Sequence, residues 1–274
     1  MSALLLQPLQ ELDRVERRVL GALRCVDATT GAPLTQPLRL EAPANARIQR
    51  NRSGLFVIHN WAPLAAHSDA FANAPAVPAP GTLTMNLVVF DPLGQYLPRR
   101  VQVALPRDAD PANADAADSL FQPVEVAMYP ACSARVGANW AALSVSVRDA
   151  GSDDALGGVL LRVLSAGQVL ARGLTDWRGE ALVPVAGIPV TTWSAAPGDV
   201  IVTQIVASLE AIADPASLTR TPQARVAAGR APSPLPLVDP AAIETARAGL
   251  LQASAVVSLA AGRPLHVSLA VPLP

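Results

Sequence analysis

"CVDATTGAPL" at Cys25–Leu34 has a counterpart later in the chain, "VRDAGSDDAL" at Val147–Leu156. In each stretch an alternating apolar strand runs into an aspartate, then a short polar turn, then a leucine that restarts the apolar pattern. Asp, Ser and Thr favour turns because their side chains bond nearby backbone amides, and Gly because it adopts a positive φ. The two stretches therefore predict the same strand–turn–strand unit at two places, 122 residues apart.

A second pair of similar stretches follows the first in the same order. "NRSGLFVI" at Asn51–Ile58 matches "DWRGEALV" at Asp176–Val183, with a spacing of 125 residues. Two landmarks in the same order, each at a strand end, favour an internal duplication. Chance matching of Asp, Gly and Leu in a chain rich in Ala and Leu stays open as the alternative.

Alternation of apolar and polar residues dominates both halves, which is typical of strands with one buried face. In "TLTMNLVVF" the residues predicted to face inward are Leu83, Met85, Leu87 and Val89. The predicted strands are Val15–Cys25, Leu38–Ala42, Leu55–His59, Leu83–Phe90, Val101–Leu105 and Val124–Met128, then Ala141–Arg148, Val159–Leu164, Val169–Leu174, Ala181–Val185 and Val200–Leu209.

The pattern predicts a mainly β chain of two tandem antiparallel Greek-key β-sandwiches. The alternation lapses at Tyr129–Gly137, "YPACSARVG", which we interpret as the linker. The first domain then covers residues 1–135 and the second covers residues 136–274. A chain of 274 residues can bury a sizeable core without disulfides or metals.

The C-terminal part departs from this pattern. In "DPAAIETARAGLL", Asp239 is a good N-cap and Pro240 suits the first helical position, so we expect a helix to about Gln252. After it, a hairpin turning at residues 261–263 is predicted. The Pro-rich segment Pro215–Pro236 is predicted to be a long loop.

Charge, hydropathy and cysteine content indicate which partners and which location to expect. The net charge is −1, which gives no electrostatic reason to expect nucleic acid or an anionic membrane. Mean hydropathy is +0.31, but no apolar run has the length of a membrane span. The start of the chain has no basic region, so we expect no signal peptide and a cytoplasmic location. Cys25 and Cys132 are too few for a secreted disulfide framework, although a bridge between them stays open.

The inventory of reactive side chains predicts no enzyme, cofactor or metal site. All 21 basic residues are Arg, so chemistry that needs a lysine is excluded. The chain has three histidines and lacks both a nucleophile elbow and a Gly-rich phosphate loop. The acidic stretch Asp108–Asp118 begins with the carboxylate spacing of a calcium loop, but Asn113 stands where such loops need Gly. A solvated acidic loop is the simpler interpretation.

Four residues are candidates for contact with partners. Trp177 lies in "TDWRGE", at the tip of a predicted tight turn, with Arg178 beside it. Exposed Trp and Arg are common anchors of protein interfaces. Arg50 and Arg52 precede the equivalent turn of the first half, where ion pairing and protection of a strand edge are the expected uses.

The turn pattern resembles that of transthyretin-like sandwiches, including carboxypeptidase regulatory-like domains. Matching residues in the first half are Asp27, Thr30, Gly31, Pro33, Leu34, Asn51 and Gly54, and in the second half Asp149, Leu156, Asp176 and Gly179. The second half departs from the pattern, because Asp153–Ala155 replaces the Gly-x-Pro element. The resemblance implies a noncatalytic scaffold, spacer or binding surface.

A further resemblance concerns the whole chain. "LQELDRVERRVLG", "RNRSGLFVIHNW" and "DPLGQYLPRRVQVALP" are similar to stretches of accessory proteins of contractile phage-tail-like particles, also called contractile injection systems. This likeness implies a protein that assembles with other subunits, or with itself, on a particle formed in the cytoplasm. The sequence thus predicts a noncatalytic structural or adaptor protein, with a carbohydrate- or peptide-binding module as the alternative.

Overall fold

The computed structural model describes residues 17–70, 73, 75–189, 192–193, 200–201 and 204–274, with the side chains of 192–193 and 200–201 excepted. Strand accounts for 44% and helix for 11%, so the chain is mainly β, as the alternation predicts. The strands among these residues form four sheets of three or more strands, mostly antiparallel, and one two-stranded ribbon. Val15 of the predicted first strand lies outside the described residues.

The described residues of the first half form seven strands in two sheets. Sheet I has the order β3-β4-β1-β7 and sheet II the order β2-β5-β6. The elements are β1 (Gly21–Asp27), β2 (Arg39–Glu41), β3 (Ala46–Arg50), β4 (Phe56–Trp61), α1 (Ala65–Asp69), β5 (Leu83–Phe90), β6 (Arg99–Leu105) and β7 (Val124–Met128), with 3₁₀ turns at Ala62–Leu64 and Pro111–Asn113.

One buried cluster joins sheets I and II. Strand β5 contributes Met85, Leu87 and Val89, and Leu83 packs at the margin, so the predicted inward face is confirmed. The other fully buried members come from both sheets and include Leu23, Ile58, Leu105 and Met128. Burial of these side chains supplies the main stabilisation of this half.

The second half contains the remaining strands in two larger sheets. In sheet III, β8 pairs with β12, β9 and β18, and β9 pairs with β16; sheet IV has the order β11-β10-β15-β17. Strands β13 and β14 form the two-stranded ribbon. The elements are β8 (Ala141–Asp149), β9 (Ala155–Gly157), β10 (Leu160–Ser165), β11 (Gln168–Leu174), β12 (Glu180–Val185), β13 (Thr192–Trp193), β14 (Val200–Ile201), β15 (Ile205–Ala213), β16 (Thr219–Thr221), α2 (Gln223–Ala227), α3 (Pro240–Ala246), β17 (Leu251–Leu259) and β18 (Pro264–Val271), with a 3₁₀ turn at Arg247–Gly249.

A second buried cluster joins sheets III and IV. Its members on sheet III include Leu143 and Val183, and those on sheet IV include Val163 and Leu209, each with no exposed surface. Each half therefore has a core of its own. The predicted boundary between residues 135 and 136 lies in the connection between β7 and β8, although Tyr129, the first residue of the predicted linker, is itself buried.

Both halves pair their first strand with the same register. Leu23 on β1 lies opposite Phe56 on β4, and Val145 on β8 lies opposite Ala181 on β12. Val145 follows Leu23 by 122 residues and Ala181 follows Phe56 by 125, the spacings of the two pairs of sequence stretches. The similar stretches of sequence thus occupy equivalent places in the two sheets.

The turn after the first strand is also the same. In the first half the Gly31 amide donates to the Asp27 carbonyl at 2.8 Å, and in the second half the Asp153 amide donates to the Asp149 carbonyl at 3.0 Å. Gly31 has φ +70° and Asp153 has φ +61°. Asp153 therefore stands where Gly31 stands, and the departure from the Gly-x-Pro element leaves the turn unchanged.

Two strand pairs differ from the all-antiparallel prediction. Strand β7 runs parallel to β1, and β18 runs parallel to β8. In each half the last strand crosses from the opposite sheet and lies beside the first in the same direction. Alternation of side chains is the same in parallel and antiparallel strands, so the sequence pattern does not distinguish them.

The C-terminal prediction is correct for a short helix followed by strands and wrong for the hairpin. Helix α3 ends at Ala246 and a 3₁₀ turn follows, so the helix is shorter than the predicted end at Gln252. Strand β17 pairs with β15 in sheet IV, whereas β18 pairs with β8 in sheet III. The predicted hairpin turn therefore connects two sheets.

The Pro-rich segment is more ordered than the sequence predicts. The segment Pro215–Pro236, predicted to be a loop, contains β16 and α2. Strand β16 pairs with β9, which lies far away in the sequence. No local pattern therefore indicates this strand.

Cys25 and Cys132 are both free thiols, and the bridge between them is not formed.

Candidate functional site

The predicted interaction residue Trp177 lies in a turn that is held by its own aspartate. The Oδ1 atom of Asp176 accepts hydrogen bonds from the amides of Arg178 and Glu180, at 2.8 and 3.2 Å. The amide of Gly179 donates to the Asp176 carbonyl at 2.9 Å. These bonds fix the position of Trp177 at the tip of the turn, where its ring is half-buried.

Trp177 lines a small apolar cleft between the two halves. The cleft has a volume of about 170 Å³. The first half contributes Leu97 and Pro98, and the second half contributes Leu174, Trp177, Leu235 and Pro236. Leu235 is 45% exposed, so the cleft opens to solvent next to an apolar side chain. The ring of Trp177 is therefore neither free in solvent nor part of the core of its own half.

A buried joint lies close to this cleft and connects the halves. Its apolar part contains Tyr129 and Leu97 from the first half, with Leu174, Val238 and Ile243 from the second. The Arg100 amide donates to the Val238 carbonyl at 2.8 Å, so a second-half segment is bonded to the edge of β6. Sequence analysis missed this joint, because its members come from segments far apart in the chain.

An ion pair is buried within the joint. The Nη2 atom of Arg99 lies 3.1 Å from Oδ1 of Asp239, and the two side chains are only 6% and 10% exposed. Arg99 also donates to the Ala127 carbonyl at 2.7 Å, and its guanidinium lies over the Tyr129 ring. Asp239 accepts from the Gln102 amide and, as the predicted N-cap of α3, from the Ala241 amide. Each charge thus has several partners, which a buried ion pair requires.

Arg178 is engaged within its own turn. Its guanidinium lies 2.8 Å from Asp176 and 3.2 Å from Glu180. The hydrogen bond to Asp176 raises the pKa of Arg178 above its ordinary value. With 38% of its side chain exposed, it can still contact a partner, but its charge is already balanced.

Cys132, Asp176 and Glu180 form the one convergent group of three metal-ligating side chains in the described part of the chain, with ligand atoms within 4.8 Å of one another. Arg178 already pairs with both carboxylates. Burial, followed by the charge of Asp176, raises the pKa of the Cys132 thiol to about 11, so it is protonated at neutral pH. These features favour a salt-bridged turn over a metal site.

Arg50 and Arg52 have different surroundings. Arg50 donates to the carbonyls of Leu34 and Gln36, at 3.2 and 2.7 Å, and stacks over the Phe56 ring. It therefore fastens the loop after β1 to the turn between β3 and β4. Arg52 is exposed at the tip of that turn, in the place that Trp177 holds in the second half. The turn at Arg52 joins two paired strands of sheet I, whereas the turn at Trp177 connects β11 of sheet IV to β12 of sheet III.

Turn carboxylates are used to hold loops. Asp149 accepts from the Ser152 hydroxyl at 2.7 Å and pairs with Arg220 at 2.6 Å. The Ser152 hydroxyl is the main cause of the lowered pKa of Asp149. In the acidic loop, Asp108 accepts from the Asp110 amide and the Asn113 side chain. The acidic stretch with the carboxylate spacing of a calcium loop is therefore a loop stabilised by its own hydrogen bonds.

His67 is the buried histidine of the first half. It is 4% exposed, and its Nε2 atom has no hydrogen-bond partner among the described residues. It lines a cavity of about 360 Å³ together with Pro78, Arg107 and Asp108. Arg107 is bonded to the carbonyls of Ala117 and Ser119, so the charges around this cavity are largely engaged.

Comparison with family models, with curated proteins and with solved structures finds no match to this chain. Among the described residues, none of the helices has the length and apolar character needed to cross a membrane.

Proposed function

We propose that this chain is a noncatalytic structural or adaptor protein. In this proposal it consists of two tandem antiparallel Greek-key β-sandwiches of transthyretin-like type, residues 1–135 and 136–274. Two sheets share one core in each half, and the first strands pair in the same register in both, which supports the tandem arrangement. The edges, turns and loops left outside these cores are the interaction surfaces.

The observation that carries the proposal is the buried joint. An ion pair between Arg99 and Asp239, with an apolar cluster around Tyr129 and Val238, fixes the halves to each other. Domains that are only tethered move relative to each other, whereas a buried joint keeps their surfaces in one fixed relation. A fixed relation between binding surfaces is what an adaptor needs.

The use of the acidic side chains also supports a noncatalytic role. Asp149 and Asp176 are bonded to backbone amides and to arginines. A general acid or base needs a carboxylate that is available to a substrate proton. Both of these carboxylates instead stabilise turns.

The proposed setting is a contractile phage-tail-like particle that assembles in the cytoplasm, with protein subunits as partners. The similarity of three sequence stretches to accessory proteins of such particles supports this setting. Fractionation of native extracts tests it. We expect the chain to co-sediment with large assemblies and to label their surface in immunogold microscopy. Sedimentation at the size of the isolated protein, in cells that contain assembled particles, would refute it.

The alternative is a module that binds carbohydrate or peptide at the Trp177 cleft. A half-buried tryptophan beside Leu97 and Leu235 is an apolar platform on which a sugar ring or a proline can stack. A variant with Trp61, Trp140 and Trp193 replaced by Phe leaves Trp177 as the only indole fluorophore. Saturable quenching or a spectral shift with a glycan or a proline-rich peptide, abolished by Trp177→Ala, would favour this alternative.

A further inference from the structure

Strand β17 is a long edge strand without charge. It covers nine residues, Leu251–Leu259, and pairs with β15 along its whole length without a register shift. Its sequence, "LQASAVVSL", contains no charged residue and no proline. Among the described strands, none pairs with its other edge. Unpaired amides and carbonyls on such an edge are a template for another strand.

The other long edge strands of the sheets carry features that oppose pairing. Strand β11 has Arg172 and a register shift in its ladder with β10, and β12 has Glu180 and Pro184. Strand β3 has two arginines and a register shift, and β7 has Glu125. The edge of β6 is bonded to Val238. Strand β18, which pairs only with β8 among the described strands, has no Arg, Asp or Glu and no register shift, but it begins with Pro264. Charges, prolines and bulges are the usual protection of sheet edges, and β17 lacks all three.

The side chains along β17 are incompletely covered. Those that face the core, Leu251, Ala253 and Ala255, are only partly buried against the second-half cluster. On the outer face, Val256 is 80% exposed, and Val206 on the adjacent strand β15 is 67% exposed. An open side with half-covered core residues gains apolar burial when a further strand is added.

We propose that β17 pairs antiparallel with β17 of a second copy of this chain, which joins two copies of sheet IV into one continuous sheet. A two-fold axis at Ala255 places Val256 opposite Ser254 of the second copy and Gln252 opposite Ser258. Along a strand, every second residue directs its amide and carbonyl to the same edge. In this register even-numbered residues face even-numbered ones and odd face odd, so the outward-pointing amides and carbonyls of the two strands meet. No like charges face each other, so this strand is complementary to itself.

The proposal names the partner of an interaction surface, so it rests on the proposed function. The test is the oligomeric state of the full chain, measured by sedimentation velocity and light scattering over a series from nanomolar to high micromolar concentration. We expect a species of twice 28.3 kDa that dissociates on dilution. Val256→Lys places two lysines near the axis, and we expect it to remove the dimer over the same range.

Thr84→Lys is the matched control, because Thr84 is exposed on the central strand β5 of sheet II. It should leave the dimer intact, and circular dichroism should show that both variants are folded. If Val256→Lys unfolds, Ser254→Lys takes its place. Ala255→Cys in a Cys132→Ser background should form a disulfide-linked dimer on oxidation, since residue 255 faces itself across the axis.

A wild-type chain that is monomeric at every concentration would overturn the proposal, as would a dimer that Val256→Lys leaves unchanged. A monomeric chain that still co-sediments with particles would refute only the self-pairing and keep the proposed function. A dimer that is lost in Val256→Lys but never co-sediments with particles would keep the self-pairing and refute the particle setting.

Discussion

At the residue scale, the turn after the first strand shows how different residues meet the same backbone demand. Gly31 and Asp153 both have a positive φ and donate the same turn hydrogen bond. Aspartate is one of the few side chains that adopt the left-handed region at modest cost, because its short polar group bonds locally. A comparison of residue types alone therefore misses that the two turns have the same backbone conformation.

We expect Gly31→Ala to lower the free energy of unfolding by about 1 kcal/mol, because an alanine in the left-handed region is strained. No atom lies within 4 Å of a Cβ added at Gly31, so steric contact adds nothing to this cost. Urea denaturation measures the effect. Gly249→Ala is the control, since it also meets open space but lacks a positive φ, and a loss of equal size there would contradict the explanation.

The loop between β10 and β11 offers a stabilising substitution. Ala166 has φ +48° and Gly167 has φ +77°, and Ser165 lies opposite Gln168. Two-residue hairpin loops with two positive φ values favour Asn-Gly. We expect Ala166→Asn to raise the free energy of unfolding by about 0.5–1 kcal/mol, measured by the same denaturation. An unchanged or lower value would show that the loop relaxes around Ala166.

At the element scale, helix α3 is attached to sheet IV by a network of charges. Glu244 on the helix lies 2.7 Å from Arg172 on β11 and 3.2 Å from Arg162 on β10. Arg162 also pairs with Glu210 on β15 at 3.1 Å and is only 8% exposed. The helix therefore supplies part of the negative charge that a buried arginine requires.

This network predicts sensitivity to acid. Burial alone would raise the pKa of Glu244, but the hydrogen bond from Arg172 and the nearby arginine charges hold it below its ordinary value of 4.5. The stabilisation is therefore complete above pH 4.5 and is lost as the pH falls through the lower, folded-state value. We expect Glu244→Gln to reduce stability at neutral pH and to flatten the loss of stability in acid.

Urea midpoints measured from neutral pH to pH 3 test this expectation. Glu125→Gln is the control, because Glu125 is 65% exposed and lies 3.9 Å from Arg24. Exposed pairs of this kind contribute little. An acid limb that is equally steep in Glu244→Gln and in the wild type would contradict the role of the network.

The sequence predicted the last two strands but not the sheet that each of them joins. The turn at residues 261–263 was expected to close a hairpin, but it connects β17 of sheet IV to β18 of sheet III. A turn of these residues can close a hairpin or connect two sheets. The alternating pattern gives each strand a buried face in both arrangements. Only the distant partners β15 and β8 decide which sheet each strand joins.

At the scale of the whole molecule, the joint between the halves is the main structural finding. Asp239 is the N-cap of α3, the ion-pair partner of Arg99 and an acceptor for the β6 edge. The sequence predicts only the first of these roles, because capping follows from neighbouring residues. The other two depend on residues about 140 positions away.

We expect Asp239→Ala to lower the free energy of unfolding by about 3–5 kcal/mol, because it leaves the guanidinium of Arg99 buried without its counter-charge. Glu125→Ala is the comparison, since the Arg24–Glu125 pair is 40% and 65% exposed and should cost under about 1 kcal/mol. Loss of similar size in both variants would contradict a joint that depends on this ion pair.

The sequence by itself determined the mainly β class, most strand positions, the N-cap of α3 and the turn chemistry. These follow from side-chain alternation and from hydrogen bonds between residues a few positions apart. The tertiary structure decided the parallel pairs β1–β7 and β8–β18, the separate sheets of β17 and β18, and the joint with its Arg99–Asp239 pair. Each of these depends on contacts between distant segments, whose identity no local pattern encodes.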